Sequence, residues 1–230
     1  MDEILFPPFE GFPKDGLAFL KRLKKNNNRP WFQKHKPEYE EYVRFPMQCL
    51  IASLAERMAD IAPEIEFNPR RSIFRINRDV RFSRNKAPYK TNIAASFDLR
   101  GDKSPTETPG LYVGIEPGGI FIGGGIYMPS GAQLKAIRKA MVDRPEEFLE
   151  VVKSRRFRAE FGGVQGEKLM RAPLGYPPDH PMIVHLKHKQ FYVGKELKDD
   201  ACLAPRFAGL VATVFRDTMP LVRWLTSALR

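Results

Sequence analysis

The hydrophobic period of this chain changes twice, and that pattern restricts its fold more than any other feature. Leu17, Leu20 and Leu23 recur at helical spacing between Asp15, placed to cap a helix, and about Asn26. Asn26-Asn27-Asn28 ends that helix, and Pro30 suits the first turn of a second running to about Val43. Pro46 opens a third through Ile61, with Leu50, Leu54 and Met58 on one stripe. The period then becomes two. Ser72 to Phe82 alternates, as does Asn92 to Leu99 with Ile93, Ala95 and Phe97 on one side. Leu111, Val113 and Ile115 alternate with polar or small neighbours, Pro117-Gly118 suits a type II turn, and Ile120 to Ile126 returns as the partner strand.

After Pro129 the helical period resumes. Ser130 is placed to cap a helix carrying Leu134, Ile137 and Met141, and Arg144-Pro145 begins another with Phe148, Val151 and Val152. Phe157 to His180 is rich in Gly and Pro and shows no clear period, while Gln190 to Leu197 reads as a last strand. Pro205 opens a closing helix whose apolar stripe runs to Leu225, kinked or broken near Pro220. Helices, then hairpin-linked strands, then helices predict an α+β fold. Its central sheet is largely antiparallel, with the N- and C-terminal helices packed on it.

The 230 residues show no internal repeat or linker, so one domain spanning residues 1–230 is expected. Cys49 and Cys202 lie far apart inside apolar helical patterns and read as small buried hydrophobes, which suits a reducing cytoplasm. No apolar run approaches the ~20 residues that cross a bilayer. Met1-Asp2-Glu3 carries acids where a secretory signal carries bases. A cytoplasmic protein with no membrane partner is therefore expected.

Net charge is +11, and its distribution is uneven. Arg70 to Lys90 carries eight basic residues and one acid, a net +7 of that +11 within 21 residues. Read as a strand, Ser72 to Phe82 places Phe74, Ile76, Val80 and Phe82 on a core face and Arg75, Asn77, Asp79 and Arg81 on the other. Arg78 falls on the apolar side, which demands either a bulge or a buried partner. Ser83 to Lys90 continues as a loop that adds a hydroxyl, two ammonium groups and a phenol. Arginine forks match carboxylate and phosphate, so Arg75, Arg78, Arg81, Ser83, Lys86, Tyr89 and Lys90 are the candidate ligand-binding residues. Set against this is a purely structural reading, in which Asp79 neutralises Arg78 and Arg81 within the protein.

Other features are less specific. Asp79 and His35 are the candidates for catalytic roles, and His35 is spaced to share a helix face with Trp31 and Tyr39. His185-x-x-His188 lacks the arrangement of zinc-binding helices and reads as a solvated basic segment, so no metal ligands are assigned. Asp79, Asp98 and Glu116 form a weak carboxylate trio. Gly123-Gly124-Gly125 fits no nucleotide-binding loop and reads as a bulge or a close backbone approach. No cofactor is implied.

Several blocks together resemble a known family. They are Asn27-Asn28-Arg29-Pro30-Trp31-Phe32 with His35-Lys36 and Tyr39-Glu40, and Phe74-Arg75-Ile76-Asn77-Arg78-Asp79-Val80-Arg81-Phe82-Ser83 with Lys86 and Pro88-Tyr89-Lys90. Tyr112 to Pro117, Gly123 to Gly125, Pro129, Leu174-Gly175-Tyr176 and Asp179-His180-Pro181 extend the likeness over nearly the whole chain. This pattern is similar to an uncharacterised family of bacterial and fungal proteins classed as a domain of unknown function. Pro30 departs from it, standing where an acidic residue is expected. The resemblance implies a single domain and marks the Arg-Asp-x-Arg-Phe-Ser block, and it implies no reaction.

The leading expectation is binding of a phosphate- or carboxylate-bearing small molecule at the basic strand and loop. Besides a protein-interaction module, two alternatives stay open. One is phosphoester hydrolysis, with Asp79 or His35 in a proton or metal role. The other is nucleic-acid binding, disfavoured because Phe74 and Phe82 are expected in the core, leaving only Tyr89 to stack on a base.

Overall fold

The computed structural model describes residues 6–100 and 108–230; the N-terminal acids Asp2 and Glu3 fall outside them. The fold is α+β, and its sheet is antiparallel. Four strands, β1 (Ile93–Phe97), β2 (Gly110–Glu116), β3 (Gly119–Ile126) and β4 (Phe191–Leu197), lie in sequence order. Gly118, in the two-residue link between β2 and β3, has φ +104°, as the expected turn requires. The described residues gather into two compact units: residues up to Phe97 with 112–122 and 196–213, and residues 98–111, 123–195 and 214–230.

The first unit begins with α1 (Lys14–Lys25), which buries Leu17, Phe19, Leu20 and Leu23. Its N-cap is Pro13 instead of Asp15; Asp15 sits in the first turn, where a carboxylate meets the positive end of the helix dipole. Asn28 caps α2 (Arg29–Lys34) by accepting from the Trp31 N–H at 3.0 Å. The expected continuous helix to Val43 stops at His35, because Pro37 has no N–H to return to the preceding turn. Trp31, His35 and Tyr39 therefore do not share one helix. The chain resumes as α3 (Lys36–Tyr39), passes through a π-helical turn (Glu40–Arg44) and enters α4 (Phe45–Met58) without a break. The Phe45 N–H reaches back five residues to the Glu40 carbonyl, and Pro46 occupies the first turn of α4 as expected. Gly16 brings α1 against this turn: a Cβ there would lie 2.3 Å from the Tyr42 carbonyl oxygen.

The expected strand Ser72–Phe82 is not a strand. The Phe74 N–H donates to the Ala94 carbonyl at 2.9 Å, and Ile73 bridges Ala95 along the outer edge of β1. After Ile76 the chain changes partner. The Lys90 N–H donates to the Ile76 carbonyl at 2.8 Å, the Arg78 N–H donates to the Pro88 carbonyl at 2.9 Å, and Asn77 bridges Tyr89. Alternation predicts one face only while one partner persists, and here it does not. Phe82, expected in the core, is 96% exposed, and Tyr89, expected free to stack, is 4% exposed. β1 is buried on both faces, which Ala94 and Ser96 permit by their small size.

The second unit holds α5 (Gly131–Asp143), α6 (Pro145–Lys153), α7 (Arg155–Phe161) and α8 (Ile183–Leu186). Ser130 and Gln133 form a reciprocal capping box on α5, and Gly162 at φ +72° closes α7. Gln165 bridges Tyr192 and donates its side chain to the Gly194 carbonyl at 3.1 Å, covering the outer edge of β4. Gly123 and Gly125 permit the close approach of β3 to β4 that their sequence suggested. The closing helix, α9 (Arg206–Ala228), is not broken at Pro220; Met219, Leu221 and Val222 beside it are all buried.

His188, expected in a solvated segment, is 2% exposed, and its Nδ1 has no hydrogen-bond partner among the described residues. Burial first, then the Lys168 charge and His185, push its pKa down from 6.5 to about 4. The unfolded chain therefore binds more protons than the folded one between those two values. Stability from this group is fully present above pH 6.5 and lost as the pH falls towards 4, on the order of 3 kcal/mol. Urea titrations across pH 4–7 should show that slope, and His188→Gln should remove it whatever the midpoint at neutral pH. An unchanged slope would contradict a neutral, buried His188.

Candidate functional site

In the first unit, helix and irregular segment enclose a cavity of about 380 Å³. One wall comes from Phe32, Gln33, Lys36, Tyr39, Glu40 and Arg44, the other from Arg70, Ile73 to Asn77 and Tyr89. The wall from the helices follows from local spacing: Lys36, Glu40 and Arg44 recur every four residues and so rise along one face. The opposite wall exists because the chain runs extended past β1 before it changes partner.

The aromatic base of the cavity is tightly packed. The rings of Phe32 and Tyr89 stack at 4.2 Å, and Tyr39 lies 5.6 Å from Phe32. Burial, reinforced by the Glu40 charge, pushes the Tyr39 hydroxyl up to about 12, so it stays protonated. Arg44 pairs with Glu40 at 3.0 Å. Lys36, Arg70 and Arg75 are exposed, and among the described residues none has a side-chain hydrogen bond or a carboxylate at ion-pair distance. The cavity thus carries more positive charge than its own protein neutralises. A second cavity of about 370 Å³ in the same unit, lined by Tyr112, Glu116, Phe121 and Glu196, carries the opposite sign.

One residue from another segment fixes this geometry. The Asn27 side-chain NH₂ donates to the Tyr89 carbonyl at 2.9 Å, and its Oδ1 accepts the Tyr89 N–H at 3.0 Å. This two-way contact holds Tyr89, and with it the ring on Phe32, against the α1–α2 junction. Asn27→Ala leaves two part-buried backbone groups unpaired and should cost roughly 1–3 kcal/mol in a urea titration. A loss near zero would show that water replaces the contact without penalty.

The residues singled out in the sequence fall into two sets. Arg75 and Tyr89 line the cavity, Tyr89 with its ring buried. Lys90 stands beside it, its ammonium 5.0 Å from the Phe74 ring; burial, and then Arg75, lower its pKa. Arg78, Arg81, Ser83 and Lys86 belong instead to a loop springing from the Arg78–Pro88 neck. Arg78 is half-buried and donates to the Ala87 carbonyl at 3.1 Å, which supplies the partner its position demanded. Lys86 donates to the Val80 carbonyl at 3.0 Å, and the Ser83 N–H bonds the same carbonyl at 3.3 Å. Arg81 forks onto Asp79 at 2.7 Å, and hydrogen bonds from Arg81 hold the Asp79 carboxyl below its ordinary range.

Neither catalytic candidate lines the cavity. The His35 ring stacks on Trp31 at 4.1 Å and its Nδ1 lies 2.7 Å from the Trp31 carbonyl oxygen. Asp79 is occupied by Arg81. No three His, Cys, Asp or Glu side chains gather as a metal site among the described residues, so Asp79, Asp98 and Glu116 do not form a cluster. Gln33, Lys36, Arg44 and Arg70 were not among the candidate ligand-binding residues, although Arg70 opens the dense basic run; for Lys36 and Arg44 the available signal was their four-residue recurrence with Glu40.

Residues 15–224 match a family described as a conserved hypothetical protein (DUF2461). No curated protein and no solved structure matches the chain. Among the described residues, no helix is long and apolar enough to cross a membrane.

Proposed function

The chain belongs to the DUF2461 family of conserved hypothetical proteins, and we propose that it binds a small phosphate- or carboxylate-bearing molecule in the cavity between Lys36 and Arg75. The observation carrying this reading is the convergence of Lys36, Arg70 and Arg75, none with a side-chain hydrogen bond or ion pair among the described residues, on one concave site. A surface of one charge in a cleft with low-dielectric walls concentrates anions. Arg70 and Arg75 supply planar forks for two oxygens each, and Lys36 supplies a mobile point charge. Gln33 and Asn77 add neutral hydrogen bonds, while Phe32, Phe74 and Tyr89 form an apolar base. A volume near 380 Å³ falls within the range of small-molecule sites, roughly 300–1,000 Å³.

This reading moves the ligand away from Arg81, Ser83 and Lys86, which lie on the loop, and towards the residues on α2, α3 and the π-helical turn. Binding without hydrolysis is favoured because the cavity's one carboxylate, Glu40, is held by Arg44. A cytoplasmic location fits the two cysteines, both free and buried.

Thermal unfolding in the presence of inorganic phosphate, pyrophosphate, sugar phosphates, nucleotides and di- or tricarboxylates tests the proposal. One anion class is expected to raise the unfolding temperature, by the equivalent of about 2.7 kcal/mol at a hundred times its Kd. The same counter-ion at equal ionic strength, as chloride, should not. Identical shifts with every salt would overturn the reading.

A further inference from the structure

The loop between Arg78 and Pro88 presents a different chemistry from the cavity. Its neck is closed by the Arg78–Pro88 and Lys90–Ile76 backbone hydrogen bonds. Its interior is held by donors on main-chain carbonyls: Arg78 on Ala87 and Lys86 on Val80. A cation bound to a neutral carbonyl keeps its charge, so shaping this loop leaves most of its positive charge in place. Asp79 offsets one cation, Arg81. Arg84 is exposed, with no side-chain hydrogen bond or ion pair among the described residues.

At the tip stands Phe82, at 96% exposure. Isolated apolar side chains on surfaces are common and by themselves mean little. This ring differs in its setting. Arg81 lies over one face at 5.9 Å, Arg84 follows two residues on, and among the described residues little else covers the ring. A free aromatic face beside cations that keep their charge, here Arg84 and Lys86, is the combination that holds an unpaired base and its phosphates together.

We propose that the Arg78–Pro88 loop binds single-stranded nucleic acid, with Phe82 stacking on one base while Arg84 and Lys86 contact neighbouring phosphates. Single strands are favoured over duplex because a paired base is already stacked and offers Phe82 no free face. An anionic membrane is the less suitable partner. The loop offers one large apolar side chain beside polar Ser83 and Asn85, far less hydrocarbon than the acyl chain that, with a basic patch, makes a stable anchor. The inference stands apart from the small-ligand cavity and uses none of the residues assigned to it.

Fluorescence anisotropy with a short labelled oligothymidylate tests this, with the full-length protein and a salt series. Binding should weaken with salt, the slope of log K against log salt being about −0.7 per phosphate contacted. Phe82→Ala should weaken binding roughly ten-fold at unchanged slope, and Phe82→Trp should restore it. Arg84→Gln should flatten the slope by about one contact. Both positions are exposed, so unfolding temperatures should match the parent chain. The proposal is overturned if Phe82→Ala binds as the parent does, or if a duplex of the same length binds as tightly as the single strand. It is equally overturned if phosphatidylserine vesicles retain the protein while the oligonucleotide does not.

Discussion

A chain carrying alanine at Gly123 is expected to fail to reach the native state at 37 °C, or to melt many degrees below its parent. A Cβ at this position would lie 2.1 Å from the Val193 carbonyl oxygen, 2.7 Å from the Gly194 Cα and 2.9 Å from the Val193 carbonyl carbon. All three are backbone atoms of β4, so no rotamer change relieves the contact. Relief requires moving β3 and β4 apart, which breaks the hydrogen bonds between them and opens the packing around Val193 and Phe191, both fully buried. A loss beyond ~4 kcal/mol is expected, against a total of roughly 5–15 kcal/mol for an ordinary domain. The control is Gly131→Ala at the start of α5, where nothing lies within 4 Å. Alanine is the better helix former, so that chain should be as stable as the parent or slightly more so. Urea titrations monitored by circular dichroism compare the two, and similar midpoints for both would contradict the strand approach described here.

The second large effect concerns ligand. Arg75→Ala, and more completely Arg70→Ala with Arg75→Ala, should abolish the anion-dependent rise in unfolding temperature while leaving the ligand-free temperature within a degree or two of the parent. Both guanidinium groups are exposed and make no side-chain hydrogen bond or ion pair among the described residues, so their loss should cost the fold little. Removing a charged hydrogen-bonding partner of a bound anion costs about 2–5 kcal/mol, or some thirty-fold or more in affinity. Arg81→Ala is the informative comparison. Its guanidinium serves Asp79 at the loop, so the anion response should survive. Loss of the response in Arg81→Ala with retention in Arg75→Ala would transfer the binding site from the cavity to the loop.

Much of the architecture was legible before any coordinates. The Leu17, Leu20 and Leu23 stripe, the Ser130 cap and the Pro117-Gly118 turn each follow from local chemistry, and local chemistry is what sequence period reports. What escaped depended on partners distant in the chain. Ser72 to Phe82 alternates as a strand would, yet its hydrogen bonds go first to β1 and then to the Lys90 segment, so the faces assigned to Phe82 and Tyr89 were exchanged. Arg75 was found because it lies in the dense basic run. Lys36 and Arg44 were not, since each is an ordinary helical cation until the fold brings Arg70 and Arg75 opposite. The burial of His188 likewise depends on packing that neighbouring Lys187 and Lys189 conceal.

The closed neck beneath Phe82 has an engineering consequence. Because Asn27, Arg78 and Pro88 fix both ends of the excursion, its tip is free to change length without altering the span it closes. A foreign epitope grafted between Ser83 and Asn85 should therefore be displayed on a rigid stalk while the scaffold folds unchanged. The same graft one step below the neck, at Asn77 or Tyr89, would dismantle the frame that carries it.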